Sequence, residues 1–301
     1  MNATKTKSVV LITGAGGQLG ASMTRLLAKE PDFDIISLDY SKLDITNSAA
    51  VEKVFAKHQF DWVINCAGYT NVDEAEKAFE KVLEINAIAV GHLAYLCKDM
   101  KIPLIHFSSD YVYHNQHRRP LEETDPTTPQ SIYAQSKLSG EEIISEVLEE
   151  YLIFRTSWLY SADGHNFVNT MLRLGKQGKV LKIVNDQIGT PTLVDDIAEA
   201  VLAIIVTIRK KEIGTNKIWG TFNMSNQGET NWYAFAQEIF RLSGMSVSCT
   251  PVDTKTYNAP ASRPLYSVLS NQKLKDIFGI ELRNWQTALN YCLQSGGYLK
   301  E

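Results

Sequence analysis

The apolar run Val9-Val10-Leu11-Ile12-Thr13 passes directly into Gly14-Ala15-Gly16-Gly17-Gln18-Leu19-Gly20, and this junction limits the fold more than any other stretch of the chain. An apolar, β-branched run without polar alternation reads as a strand buried on both faces, as in a parallel sheet. Met23, Leu26 and Leu27 follow at helical spacing and predict a helix over 21–29. Glycines at 14, 17 and 20 suit a tight turn, a backbone that can approach a pyrophosphate, and close helix–strand packing. Phosphate charge would rest on N–H groups at the helix N-terminus. The spacing is Gly-x-x-Gly-x-x-Gly, which differs from the commoner Gly-x-Gly-x-x-Gly; an ordinary glycine-rich turn is the plain alternative.

A second strand over 34–38 ends at Asp39, where an acid can accept hydrogen bonds from an adenosine ribose. A solvated turn acid is the competing reading. Asp39 would repel a 2′-phosphate, while Ser41 and Lys42 could bind one, so NADH and NADPH both stay open. Further strands are predicted at 62–65, 104–107 and 151–155. Helices are predicted near 47–57, within 73–98 and over 133–148. Such alternation implies right-handed crossovers and an α/β fold with a doubly wound parallel sheet. Ligands bind such sheets beyond the strands' carboxyl ends, where Gly14, Asp39, 65–69, 108–111 and 156–160 all fall.

The second half patterns as helices at 166–174, 194–209, 232–242 and 285–294, with strands at 180–184 and 218–223. The segment 251–264 is rich in turn residues and lacks apolar periodicity. The expected division is a dinucleotide-binding domain over 1–160, to which part of 185–225 returns. Residues 161–301 then form mainly a smaller lobe that closes a substrate cleft.

Tyr133 and Lys137 stand at i,i+4 on the predicted 133–148 helix, so both side chains share one face. A lysine one turn away favours a phenolate by charge, letting a tyrosine with a reference pKa of about 10 exchange a proton with a carbinol or carbonyl oxygen. Ser109, at a strand end, could hydrogen-bond the same oxygen. Alone, Tyr-x-x-x-Lys is weak, because such pairs are usually surface residues; the glycine-rich turn gives it weight.

Composition excludes other classes. A net charge of −4 provides no basic footprint for nucleic acid, and no apolar stretch reaches membrane-spanning length. The short N-terminal stretch before the first strand leaves no room for a signal peptide. Cys66, Cys97, Cys249 and Cys292 are scattered without a Cys-x-x-Cys pair and read as reduced, mostly buried thiols of a cytoplasmic protein. His114 and His117 have no partner cluster, and no metal site is predicted.

On these residues the chain resembles the dTDP-4-dehydrorhamnose reductase family of extended short-chain dehydrogenases/reductases, nearly end to end. The matching segments are Gly14-x-x-Gly17-Gln18-Leu19-Gly20, the block from Asn65-Cys66-Ala67-Gly68-Tyr69-Thr70 to Glu76, and Phe107-Ser108-Ser109-Asp110-Tyr111-Val112-Tyr113. Tyr133-x-x-x-Lys137, Arg155-Thr156-Ser157-Trp158-x-Tyr160, Asp186-Gln187-x-Gly189-x-Pro191-Thr192 and Arg263-Pro264-x-x-Ser267 complete the set. Ser109 stands where the family usually has threonine, Gly68 where alanine is common, and Ala134 where glycine is common. The stretch 114–119 replaces a glycine-containing turn that borders the expected sugar site.

The resemblance implies a Rossmann domain, reduction by NADPH or NADH of the C4 ketone of a nucleotide-linked 4-keto-6-deoxysugar, and a monomer or homodimer. It assigns Tyr133 as proton donor, Ser109 as hydrogen-bond donor to the same oxygen, and Lys137 as holder of nicotinamide ribose that lowers the tyrosine pKa. It implies coenzyme contacts at Gly14, Gly17, Gln18, Leu19, Gly20, Asp39, Asp44, Ile45, Cys66, Ala67, Gly68, Thr70, Tyr133 and Lys137. Substrate contacts are implied at Ser109, Asp110, Tyr111, Trp158, Gln187, Arg263 and Ser267, with Trp158 on a sugar face, Gln187 orienting hydroxyls and Arg263 on the pyrophosphate. Plain alternatives are a core role for Trp158, a carboxylate partner for Arg263, and a satisfied buried amide for Asn86, which could otherwise stabilise a helix distortion or hold a relay water. An epimerase, a 4,6-dehydratase, a reductase of another nucleotide ketosugar, and a binding subunit similar to the regulatory subunit of methionine adenosyltransferase are the competing functions. Asp110 has no following glutamate, which argues against dehydration.

Overall fold

The computed structural model describes residues 7–114, 118–178, 180–210 and 218–299. Residues 115–117, within the stretch read above as bordering the sugar site, lie outside the described residues, as do 1–6. Six strands form one fully parallel sheet: β1 (Ser8–Thr13), β2 (Phe33–Leu38), β3 (Trp62–Asn65), β4 (Leu104–Ser109), β5 (Tyr151–Thr156) and a last strand Gly220–Asn223. Across the sheet the order is Gly220–Asn223, β5, β4, β3, β1, β2. The chain winds one way from β1 to β2 and the other way from β3 onward, so β1 and β3 flank the topological switch point.

Both faces of the sheet are covered, which is why its strands lack polar alternation. Val10 and Ile12 face one layer and Leu11 the other, and all three are fully buried. Each such side chain contributes about 1.5–3 kcal/mol on burial. The first face carries α1 (Gln18–Leu27) and the helix Val194–Arg209, with Met23, Leu27, Ile197, Val201 and Ile205 in its core. The second carries α2 (Ser48–Lys57), α5 (Ala89–Met100) and α6 (Ile132–Val147), with Val51, Phe55, Leu93 and Ile144 packed inward. Before α5 the chain makes short helices α3 (Val72–Ala75) and α4 (Phe79–Leu83) and one π-helical turn, Glu84–Ile88.

A third cluster gathers Tyr160, Met171, Leu172, Phe235, Ile239, Trp285, Ala288 and Leu289 beside the sheet. It is built by the helices Phe167–Gly175, Trp232–Leu242 and Trp285–Ser295. The turn-rich segment 251–264 departs from its sequence reading at its start. Cys249–Val252 pairs in parallel with Leu181–Val184, and Thr254–Tyr257 forms a helical turn capped by Asp253. A strand this short and only half-buried carries no apolar period to read. The helix Gln272–Phe278 was likewise illegible, although Leu274 is buried against the sheet. Two of the four free cysteines, Cys97 and Cys292, are buried; Cys66 and Cys249 are half-exposed. Among the described residues no helix is long and apolar enough to cross a membrane.

Candidate active site

The glycine turn lies where β1 ends beside β3. Gly14 has φ +64, and a Cβ there would fall 2.5 Å from the backbone nitrogen of Ala67, so only glycine lets the two loops approach this closely. Gly17 caps α1 without any side-chain hydrogen bond to the N–H groups of its first turn. This positively polarised helix end between two strand termini fits a dinucleotide pyrophosphate.

Other sequence-read coenzyme residues divide between backbone and side chain. Leu19 and Ile45 bury their side chains in the two cores, so only their backbones are available to a ligand. Asp44 Oδ1 accepts from the Thr46 N–H and hydroxyl at 3.0 and 2.8 Å. The Gln18 amide oxygen accepts from Ser161 Oγ at 2.7 Å and Asn166 Nδ2 at 2.9 Å, tying the glycine turn to the segment that leads into Phe167–Gly175. Asp39 Oδ1 accepts from Ser41 Oγ at 2.6 Å and from the Ser41 and Lys42 N–H groups. The Ser41 hydroxyl, read above as free for a 2′-phosphate, is thus engaged by Asp39. Its bond, joined by the Lys42 charge and the two backbone N–H groups, holds the Asp39 carboxyl below its usual range against the opposing effect of burial. Cys66, Ala67, Gly68 and Thr70 follow β3 at the cleft, with Gly68 and Thr70 exposed.

Tyr133 and Lys137 come from α6, whose N-terminus is set by Ser131 accepting from the Ala134 N–H at 3.2 Å. Ser109 ends β4, and its Oγ accepts from the Tyr111 N–H at 3.2 Å and donates to Asp110 Oδ1 at 3.1 Å. Burial pushes the Tyr133 phenol up to about 12; a hydrogen bond with Ser109 opposes this and the Asp110 charge adds to it. The expected depression of this pKa by Lys137 is therefore not what the structure has. The Lys137 ammonium position lies 3.3 Å from His106 Nε2, and burial, opposed by Glu141, brings Lys137 down to about 8. A phenol that keeps its proton at neutral pH suits a proton donor.

The position of α6 depends on the π-helical turn beside it. Asn86 is fully buried; its Oδ1 accepts from the Tyr69 N–H at 2.8 Å, and its Nδ2 donates to Tyr69 O and Ser136 Oγ. The amide is thus satisfied by protein groups and pins the loop after β3 to α6. Beneath the site Arg155 of β5 holds Glu141 of α6 through bonds of 2.6–3.1 Å and reaches the Tyr113 hydroxyl at 2.8 Å.

The sequence-read substrate residues have protein partners of their own. Tyr111 meets Tyr133 edge to face at 5.9 Å. Burial pushes the Asp110 carboxyl up to about 7, with Ser267 and Ser109 opposing, and its Oδ2 has no hydrogen-bond partner. Trp158 adopts φ +48, unusual for an aromatic residue, and stacks on Trp232 at 3.7 Å rather than standing free for a sugar on both faces. The Gln187 amide is bonded to Thr254 Oγ1 at 3.0 Å and Trp232 Nε1 at 3.2 Å, so its expected role on sugar hydroxyls meets prior partners. Arg263, read as a pyrophosphate ligand, instead directs its guanidinium at the Asp73 carboxylate. His106, Trp232 and Glu141 were given no role from sequence. His106 alone carried a signal, as a polar side chain on the α6 face of an otherwise apolar strand.

Fold and site together define an extended short-chain dehydrogenase/reductase: a parallel sheet, a glycine turn at its switch point, and a Ser–Tyr–Lys group beyond β4. The chain belongs to the family described as the RmlD substrate binding domain, whose model matches residues 8–297. It is 36% identical to a dTDP-4-dehydrorhamnose reductase of Burkholderia thailandensis, over 95% of this chain and 98% of that one. It is also 36% identical to a probable dTDP-4,6-dihydroxy-2-methyloxan-3-one 4-ketoreductase of Streptomyces antibioticus, over 93% and 92% of the two chains. The crystal structure of a Bacillus anthracis dTDP-4-dehydrorhamnose reductase in complex with NADP superposes with a TM-score of 0.87 at 36% identity, covering 96% of this chain and 99% of that one.

Proposed function

We propose that this protein is a cytoplasmic NAD(P)H-dependent reductase that converts dTDP-4-dehydro-L-rhamnose to dTDP-L-rhamnose. The observation that carries the reading is the convergence of the Ser109 hydroxyl and a protonated Tyr133 phenol at the carboxyl end of β4, beside the N-terminus of α1. Similarity over nearly the full length to a dTDP-4-dehydrorhamnose reductase, and to one bound to NADP, supports the substrate and the coenzyme. Gly14, Gly17 and the first turn of α1 would hold the dinucleotide pyrophosphate, and Asp39 its adenosine ribose. Reduced nicotinamide supplies the hydride. As negative charge grows on the C4 oxygen, Tyr133 gives it a proton and Ser109 a hydrogen bond. Trp158 and Tyr111 bound the sugar space, and Asp110, Gln187 and Ser267 line the polar side.

The similar Streptomyces antibioticus ketoreductase, whose named sugar differs, supports a second reading: reduction of another dTDP-linked ketosugar. The test is coenzyme oxidation on adding freshly generated dTDP-4-dehydro-L-rhamnose, with the product identified as dTDP-L-rhamnose. Turnover only with another 4-ketosugar nucleotide selects the second reading. No turnover with any would overturn both.

A further inference from the structure

Ser109 has one hydrogen to give, and more than one group competes for it. A hydroxyl offers a single O–H and two lone pairs. The Tyr111 N–H takes one lone pair at 3.2 Å, and Asp110 Oδ1 lies 3.1 Å from the same oxygen. The Tyr133 phenol, hydrogen-bonded to Ser109 in the free protein, is the third neighbour. An ionised carboxylate only accepts, so it claims the Ser109 hydrogen. Ser109 then turns a lone pair toward Tyr133, and that lone pair draws the phenol hydrogen. Both hydrogens that the reduction needs at the C4 oxygen are thus led back toward the carboxylate. A protonated Asp110 reverses the first bond. Its O–H donates to Ser109 Oγ, which leaves the Ser109 and Tyr133 hydrogens free for the reacting oxygen.

We propose that Asp110 is a positioning residue that works as the neutral acid, donating to Ser109 and so turning the Ser109 hydroxyl toward the substrate oxygen. The catalytic meaning rests on the reductase reading; the tie between the Asp110 proton and the Ser109 hydrogen does not. The surroundings favour the acid. Asp110 is 2% exposed, in the single turn Asp110–Val112, and its Oδ2 has no hydrogen-bond partner. An ionised carboxylate there would keep one oxygen bare. Tyr111 from the same turn and Tyr133 from α6 face it, and burial keeps the proton on both. Ser267, from the segment after Arg263, and Ser109 favour the charged form; burial outweighs them and brings the carboxyl up to about 7. The site's cations have carboxylate neighbours of their own, Asp73 for Arg263 and Glu141 for Lys137. Thr156 of β5, in register with Ser109, carries no charge. The acid form is the one present below about 7, so rising pH withdraws the Ser109 hydrogen from the reacting oxygen.

Carbon NMR of the free, full-length protein with carboxyl-labelled aspartate tests the tie, the Asp110 signal being identified by its loss in Asp110→Asn. It should titrate at about 7. In Ser109→Ala the carboxylate loses a charge-assisted bond and the acid only a neutral one, so the proton affinity should rise about fivefold. An Asp110 that titrates as an ordinary aspartate, at about 3.9, or that Ser109→Ala leaves unmoved, overturns the proposal. Should Asp110→Asn not fold, the signal is the one that Ser109→Ala moves, and the absence of such a signal overturns the proposal. With dTDP-4-dehydro-L-rhamnose, kcat/KM should fall about tenfold per pH unit above neutrality, while the Kd of the coenzyme stays constant. That decline should vanish in Asp110→Asn, whose amide donates to Ser109 at every pH, and in the residual activity of Ser109→Ala. A decline that survives in Ser109→Ala would mean that the carboxylate acts by charge alone, which overturns the proposal. The NMR tie in a protein inactive on every 4-ketosugar nucleotide supports this inference while overturning the reductase reading.

Discussion

Arg263 grips Asp73 with both prongs of its guanidinium, Nη1 at 3.0 Å from Oδ1 and Nη2 at 2.8 Å from Oδ2. The pair joins the segment after Thr254–Tyr257 to α3, and the Ala261 N–H also donates to Asp73. It holds the loop carrying Ala261 and Arg263 against α3, and only the arginine fork can make both bonds in parallel. Arg263→Lys should therefore raise KM for the nucleotide sugar by about tenfold, near 1.4 kcal/mol, and leave the Kd of NAD(P)H unchanged. A loss confined to the coenzyme would place this loop over the other ligand.

Removal of the Tyr133 hydroxyl tests the proton donor. Tyr133→Phe should lower kcat by roughly 10²–10⁴-fold, with little change in coenzyme affinity. A folded variant turning over at the wild-type rate would contradict the mechanism.

Asp110 predicts a pH dependence of stability. Its folded pKa is raised to about 7 by burial, whereas an unfolded aspartate titrates near about 3.9. Between these values the folded chain keeps a proton that the unfolded chain has released. Its contribution is thus fully present below about pH 4 and lost as pH rises through about 7. Asp110→Asn removes this titration, so urea unfolding should show the variant gaining on the wild type across that window. A constant difference between the two would refute the raised pKa.

A methyl group at position 140 tests how α6 is seated. A Cβ on Gly140 would lie 2.3 Å from the Asn86 carbonyl oxygen in the π-helical turn. Gly140→Ala should cost about 1–3 kcal/mol in unfolding free energy and lower kcat by displacing Tyr133. Unaltered stability would mean that the helix shifts freely, and then Asn86 does not fix it.

Local periodicity made most of the scaffold legible. The run from Val9 to Thr13, the helices at 194–209 and 232–242, and the pairing of Tyr133 with Lys137 on one helix all follow from side-chain spacing of two or 3.6 residues. The strand Cys249–Val252 did not, because Pro251 and a half-exposed surface hide any alternation. The site was legible in its residue types but not in its partners. Arg263 and Asp73 are far apart in the chain, as are Gln187 and Thr254, and no spacing rule predicts which polar group meets which. His106 shows the same limit: strand alternation places it toward α6, but only the fold shows that Asn65 and Lys137 flank its ring.

The bonds from Gln18 to Ser161 and Asn166 have a thermal consequence. They fasten the first turn of α1 to the segment leading into Phe167–Gly175, so the opening of either part strips hydrogen bonds from the other. Heating should then melt the molecule in a single cooperative step, with calorimetric and van't Hoff enthalpies in agreement. Gln18→Ala, which removes both bonds, should lower the melting temperature, and an unchanged melting temperature would mean that these bonds couple nothing.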